Sequence, residues 1–217
     1  MTKKTTQPQC NQNLNCGMSE AVTILAQTGE AVARPALLLH SCCGPCSTAV
    51  IERLVDDFDI TVFFYNPCIT DRDEYERRKE NQIRFIENYN LHLGGLNQIH
   101  FMEGEYEPEE YFQLTAGYSN EPEGGARCTI CFTQRLEKTA QIAQMRGFPL
   151  FTTTLTVSPH KNYPLISALG KEAAEKHNVE FLDMDFKKKA GFQRSIQLSK
   201  EYDLYRQNYC GCEYSKR

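Results

Sequence analysis

Short apolar runs rich in β-branched and aromatic residues alternate along this chain with longer stretches of helical periodicity. That alternation limits the fold more than any other feature. Strands are expected at 36–40, 60–65, 98–102, 149–155 and 179–184, and helices at about 46–56, 72–91, 108–114, 129–146, 163–177 and 190–206. When a helix separates successive strands, the chain returns to its starting edge and the strands pair in parallel. The expected fold class is therefore α/β, a Rossmann-like three-layer fold with a mainly parallel sheet and helices on both faces. A length of 217 residues suffices for one such core. Residues 1–33 are expected to form a flexible N-terminal extension, and 34–217 a single α/β domain ending in a Cys-Gly-Cys tail.

In open parallel sheets, ligands bind beyond the carboxyl ends of strands. The corner after the first strand is Ser41-Cys42-Cys43-Gly44-Pro45-Cys46. Pro45 suits the first turn of the next helix, where a missing N–H costs nothing. Thiols at such a corner face the positive end of the helix, which favours thiolates. Two further strand ends carry Asn66-Pro67-Cys68 and Thr156-Val157-Ser158-Pro159-His160.

The chain has ten cysteines, and seven of them fall in three groups: 42/43/46, 128/131 and 210/212. Grouping at such spacings favours metal or redox chemistry in a reducing compartment over a disulfide scaffold. Cys43-Gly44-Pro45-Cys46 has the letters of a thioredoxin dithiol, which would make Cys43 the attacking thiolate and Cys46 the resolving thiol. The chain has no Trp to precede that dithiol, and the reading leaves the other groups unexplained. Cys128 and Cys131 open a helix and present two sulfurs on one side of its first turn, suited to one metal or one cluster. Joint ligation with the first group would complete a zinc site or a four-iron cluster. Adjacent Cys42 and Cys43 lean towards the cluster. Cys210-Gly211-Cys212 fits either a strained, labile disulfide or two ligands of one metal.

A net charge of −4 does not by itself announce a nucleic-acid binder. Arg77-Arg78-Lys79, Lys187-Lys188-Lys189 with Arg194, and Lys216-Arg217 each read first as a solvated face or loop. Phosphate-loop signatures are missing from the sequence. The segment 21–27 is mildly apolar, but Glu20 and Glu30 interrupt it. A signal peptide is not expected, nor is a membrane-spanning run, and the expected location is cytoplasmic.

Together the motifs point to one family. Leu39-His40-Ser41-Cys42-Cys43-Gly44-Pro45-Cys46, Phe63-Phe64-Tyr65-Asn66-Pro67, Glu74-Tyr75-Glu76-Arg77-Arg78, Arg127-Cys128-Thr129-Ile130-Cys131-Phe132 and Arg135-Leu136-Glu137 resemble epoxyqueuosine reductases of the QueH type. So do Phe151-Thr152-Thr153-Thr154-Leu155, Ser158-Pro159-His160-Lys161 and Tyr205-Arg206-Gln207-Asn208-Tyr209-Cys210-Gly211-Cys212. The likeness runs from about 36 to 214, so that 34–217 would be the catalytic domain.

The resemblance implies reduction of epoxyqueuosine to queuosine at the wobble position of tRNA, the last step of queuosine biosynthesis. It implies a four-iron cluster ([4Fe-4S]) held by Cys42, Cys43, Cys128 and Cys131. It also implies a terminal pair, Cys210 and Cys212, acting as a redox-active disulfide or as ligands of a second, mononuclear iron. Cys46 falls where such an iron could gain another ligand. The implied partners are tRNA carrying epoxyqueuosine and an unidentified electron donor, with no membrane. His160 and Tyr209 are the expected proton-donor candidates, and His40 could tune the first cysteine group. Cys68 departs from the usual family pattern of Asn after Asn-Pro and is treated as incidental, as are Cys10 and Cys16. A zinc-stabilised module binding tRNA or protein is the competing reading from another class.

Overall fold

Strand β1 (Ala36–Ser41) is central in a five-stranded sheet, and its consecutive leucines point to opposite faces. Leu37 and Leu39 enter a core with Val50, Ile51, Phe85 and Ile86, whereas Leu38 enters another with Leu136, Ala140, Phe151 and Ile166. A strand buried on both sides reads as the continuous apolar run seen in the sequence. The computed structural model describes residues 34–95 and 97–216. The expected N-terminal extension, with Cys10 and Cys16, lies outside the described residues.

The other strands are β2 (Asp59–Phe64), β3 (His100–Glu103), β4 (Leu150–Thr153) and β5 (Glu180–Phe181). Their order is β3-β2-β1-β4-β5, and every neighbouring pair is parallel. In register, Ser41 of β1 sits opposite Phe64 of β2, and His40 sits opposite Thr153 of β4. The helices are α1 (Gly44–Leu54), α2 (Arg72–His92), α3 (Pro108–Leu114), α4 (Ala126–Arg146), α5 (Tyr163–His177) and α6 (Gly191–Glu201). Helices α1 and α2 cover the Leu37/Leu39 face, and α4 and α5 cover the Leu38 face. The three-layer α/β expectation is therefore met. Residues Arg34–Arg217 form one compact unit, and no described helix is long and apolar enough to cross a membrane.

Several boundaries shift from expectation, the strand expected at 179–184 shrinking to Glu180–Phe181, and two of the shifts matter for the site. The strand expected at 149–155 stops at Thr153, whose hydroxyl accepts the Leu155 amide at 3.1 Å. That local bond starts a 3₁₀ turn over Thr154–Val157 and swings Thr154 towards Cys42. The helix expected to reach 206 ends at Glu201. Asp203 adopts a left-handed φ of 48°, and Leu204 returns its amide to the Ser199 carbonyl at 2.8 Å. Residues from 205 onward are thus released from the helix and run along α2.

Candidate metal and redox site

The connection from β1 to β2 and the chain's later arrival at β4 leave in opposite directions, so the sheet has its switch point between β1 and β4. Cys42 and Cys43 emerge there. Helix α1 begins at once because Gly44 lets it press against α2: a Cβ at Gly44 would lie 2.9 Å from Asn81 Nδ2 and 3.1 Å from the Asn81 carbonyl. Pro45 occupies the first turn. The sulfurs of Cys42, Cys43 and Cys46 all lie within 4.8 Å of one another, with Cys42 and Cys43 3.8 Å apart.

This crowding separates the three thiols by acidity. Cys43 and Cys46 donate towards Cys42 and hold its thiol well below the usual range, with further help from the Thr154 hydroxyl. The charge so favoured at Cys42 pushes Cys43 up to about 12, and Cys46 upward too. Cys43 also accepts the Gln207 amide at 2.9 Å.

A second thiol group surrounds the first turn of α4. Cys128 accepts the Gly124 amide at 3.2 Å, while Cys131 is buried beside Cys68, Cys212 and Tyr111. Cys68 and Cys131 share a hydrogen bond that holds Cys68 down to about 6 and drives Cys131 upward. A 60 Å³ cavity is lined by Cys68, Cys128, Cys131, Cys210 and Cys212. Cys68, treated as incidental in the sequence, thus belongs to the thiol centre. Its signal was positional: it lies just past the end of β2, on the sheet edge where such sites form.

The Cys-Gly-Cys tail reaches this centre because one face of α2 grips it. Glu74, Arg78, Asn81 and Gln82 share that face at helical spacing. Arg78, 1% exposed, binds Glu74 at 2.7 Å and donates to the Cys210 carbonyl at 3.0 Å and the Tyr209 carbonyl at 3.4 Å. Asn81 donates to the Tyr205 carbonyl at 3.1 Å and accepts the Tyr205 amide at 3.0 Å. The Tyr205 hydroxyl donates to Glu74 at 3.1 Å, and Arg77 lies 3.8 Å over the Tyr205 ring. Gly211 has φ 129°, and a Cβ there would meet Ile69 at 2.9 Å. Gln82 accepts from Ser41 at 2.7 Å and so ties the same helix to the β1 corner. Arg78 is therefore not the solvated cation that its sequence context suggested.

A larger hollow of 540 Å³ opens beside the thiols, with Cys42, Cys46, His160, Lys161, Tyr209 and Cys210 on its walls. Cys210, His160 and Lys161 also line the smaller cavity, so the two spaces share a wall. The expected cluster ligands divide between them: Cys42 faces the hollow, and Cys128 and Cys131 face the small cavity. Cys43 is fully buried and is on the wall of neither. Cys210 and Cys212 are free thiols on either side of Gly211.

His40 has a structural part. It is fully buried, bonding Thr153 Oγ1 at 2.8 Å and the Tyr65 carbonyl at 3.1 Å, and so joins the ends of β1, β2 and β4. Burial and the Arg135 charge lower its pKa to about 3 and keep it neutral. Desolvation acts to lower the pKa of half-buried Lys161, but Cys210 and Cys42 outweigh it and the net shift is upward. Among the basic groups, Arg194 is committed to Glu52 at 2.6 and 2.9 Å, and Lys216 to Asp71 at 3.1 Å.

All eight described cysteines converge on this region. Soft sulfur donors in closed surroundings suit zinc or iron–sulfur chemistry. A buried guanidinium nitrogen of Arg135 has no partner among the described residues, as expected beside a group of negative charge. The residues present therefore fit a thiolate-bound metal group. Fold and site together define the class: a parallel α/β protein with a thiol-rich centre at its switch point that could bind a metal.

Comparison with known proteins narrows the class. The family described as Epoxyqueuosine reductase QueH matches residues 37–217. A Streptococcus pyogenes epoxyqueuosine reductase QueH is 45% identical over 184 residues, covering 85% of this chain and 71% of that protein. The Staphylococcus epidermidis protein of that name is 41% identical, with 88% and 81% covered, and the Thermotoga maritima one is 38% identical, with 82% and 89% covered. The chain belongs to the epoxyqueuosine reductase QueH family.

Proposed function

We propose that this protein is an oxidoreductase of tRNA modification that reduces epoxyqueuosine to queuosine. The convergence of eight thiols at the sheet's switch point, with the Cys210-Gly211-Cys212 tail gripped over them by α2, carries this reading for a member of the family. Conversion of the epoxide to an alkene takes two electrons and two protons, breaks both C–O bonds and releases the oxygen as water. The cavity walls supply what such a step needs from the chain.

Cys42, Cys43, Cys128 and Cys131 would hold a [4Fe-4S] cluster, while Cys210 and Cys212 would act as a dithiol or, with Cys46, ligate a second iron. Such a cluster supplies single electrons at low potential when bound by thiolates away from water. The 540 Å³ hollow has the size of a small-ligand site and would receive the modified base beside Cys42, Cys46 and Cys210. Tyr209 keeps its proton at neutral pH, because burial and Glu74 raise its pKa. It and His160, both on the wall of the hollow, would deliver the protons. Gln207 and Thr154 orient the Cys43 and Cys42 sulfurs. Exposed Arg206 and Asn208 flank the hollow, and Lys187 donates to the Lys161 carbonyl at 3.3 Å. This basic segment would meet the phosphates of the tRNA, and raised salt would weaken binding.

The test is oxygen-free purification with iron, zinc and sulfide analysis, followed by reaction of reduced protein with tRNA carrying epoxyqueuosine. The expected protein is brown, and the nucleoside it yields lacks one oxygen by mass spectrometry. A colourless protein holding one zinc, with the tRNA unchanged, would favour the zinc-module reading and sink this one.

A further inference from the structure

Arg78 and Arg135 are the two largest fully buried side chains among the described residues, each 1% exposed. Their surroundings differ sharply. Arg78 has Glu74 at 2.7 Å and two tail carbonyls. Among the described residues Arg135 has no carboxylate partner. Its Nε donates to the Cys131 carbonyl at 3.2 Å, one turn back on α4, and the guanidinium carbon lies 5.7 Å from the Phe132 ring centroid. One terminal nitrogen is buried with no hydrogen-bond partner among the described residues.

An unpaired buried cation is among the most unfavourable features a core can hold. A water in the 60 Å³ cavity that Arg135 lines could satisfy a lone N–H, but it could not balance the charge. The groups around Arg135 whose charge it feels are Cys131, Cys68, Cys210 and Cys42, drawn from both halves of the thiol centre. Lys161, on the wall shared by the two spaces, faces Cys210, Cys42 and Cys46. Lys161 is half-buried and reaches solvent. Arg78, which also faces Cys43, is already paired with Glu74 at 2.7 Å, so Arg135 is the buried cation left to balance the centre.

We propose that Arg135 is the internal counter-cation of the thiolate centre and sets the potential at which that centre accepts an electron. The inference rests on the iron–sulfur reading above. A thiolate-ligated cluster is negative and becomes more so on reduction, so a fixed positive charge beside it favours the reduced form. A unit charge several ångströms away, at an effective dielectric of about 20, changes such an equilibrium by roughly ten- to a hundredfold. Arg135 acts through the centre and is a positioning residue rather than a catalytic one.

The test compares oxygen-free wild type with Arg135→Met, which keeps length but removes charge, and Arg135→Lys, which keeps the charge. Iron and sulfide content is measured first, and an absence of both from the wild type would overturn the iron–sulfur reading and this inference with it. The reduction potential is then read by titration with electron paramagnetic resonance detection. Arg135→Met is expected to lower the equilibrium constant for reduction about ten- to a hundredfold, a fall of about 59 mV per tenfold for one electron. Arg135→Lys is expected to stay close to wild type. A loaded Arg135→Met protein with unshifted potential overturns the inference and leaves the reading intact. Unfolding of the metal-free proteins by urea supplies the second measurement should Arg135→Met fail to load. Metal-free Arg135→Met is expected to be at least as stable as wild type, because the unpaired charge is gone. A tenfold or greater loss in its folding constant would make Arg135 a structural residue and overturn the inference.

Discussion

Replacing Arg78 by methionine tests whether α2 holds the terminal thiols over the centre. The side chain is 1% exposed and makes three polar contacts: Glu74 at 2.7 Å, the Cys210 carbonyl at 3.0 Å and the Tyr209 carbonyl at 3.4 Å. Methionine keeps most of the volume, so the loss is electrostatic. Glu74 retains the Tyr205 hydroxyl at 3.1 Å but loses its cation, and breaking a buried pair costs about 3–5 kcal/mol. The share that falls on the tail is the bond to the Cys210 carbonyl plus a weaker one to Tyr209. Bonds to charged groups contribute about 1.5–3 kcal/mol, so the tail should loosen by about 2–3 kcal/mol, or roughly 30- to 150-fold in its opening equilibrium. The assay is the alkylation rate of Cys210 in folded, metal-free protein, followed by mass spectrometry with Cys46 as the internal reference. Arg78→Lys should fall between the two, since it can keep Glu74 but not the full set of carbonyls. If Cys210 in Arg78→Met labels at the wild-type rate while Cys46 is also unchanged, Arg78 is not the clamp and Asn81 must suffice.

Two further outcomes follow from particular contacts. Asp183 accepts from Ser167 at 2.6 Å and Tyr163 at 2.9 Å and pairs with Lys171 at 2.7 Å. Burial acts to raise its pKa, but these partners win and the net shift is downward. Its stabilising contribution is therefore present above the unfolded value of 3.8 and is lost as pH falls through the lower folded value. Asp183→Asn should cost about 1–3 kcal/mol in urea unfolding at neutral pH. That difference from wild type should shrink towards pH 3, and a pH-independent difference would refute the assignment. On the iron–sulfur reading, Cys210→Ser and Cys212→Ser should spare the cluster but abolish turnover. Full activity in both variants would remove any catalytic role for the tail thiols.

The order of elements was legible because the patterns that encode it are local. Ala36-Leu37-Leu38-Leu39 is apolar on both faces of a strand, and a helix follows within a few residues, so a parallel sheet with two covered faces was the only economical arrangement. The Cys42/Cys43/Cys46 group was equally visible, since strand, corner and helix start are contiguous. Where the prediction overran beside the site, at 154–155 and 202–206, short-range hydrogen bonds to Thr153 and from Leu204 ended elements whose composition would have allowed them to continue.

Pairings across long separations were decided only in three dimensions. Nothing in the residues around Arg78 shows that it will bind carbonyls more than a hundred positions away, because its charged neighbours describe an ordinary exposed face. Cys68 joined the centre through the sheet edge rather than through a spacing motif, and Arg135 differs from Arg78 only in what surrounds it. Periodicity records which face of an element is buried, and so the sequence alone determined the α/β scaffold and the location of its thiol-rich corner. Burial of a charge or a thiol against a particular partner depends on how distant elements pack. The tertiary structure therefore decided which cysteines meet, what holds the tail and which cation stands unpaired among them.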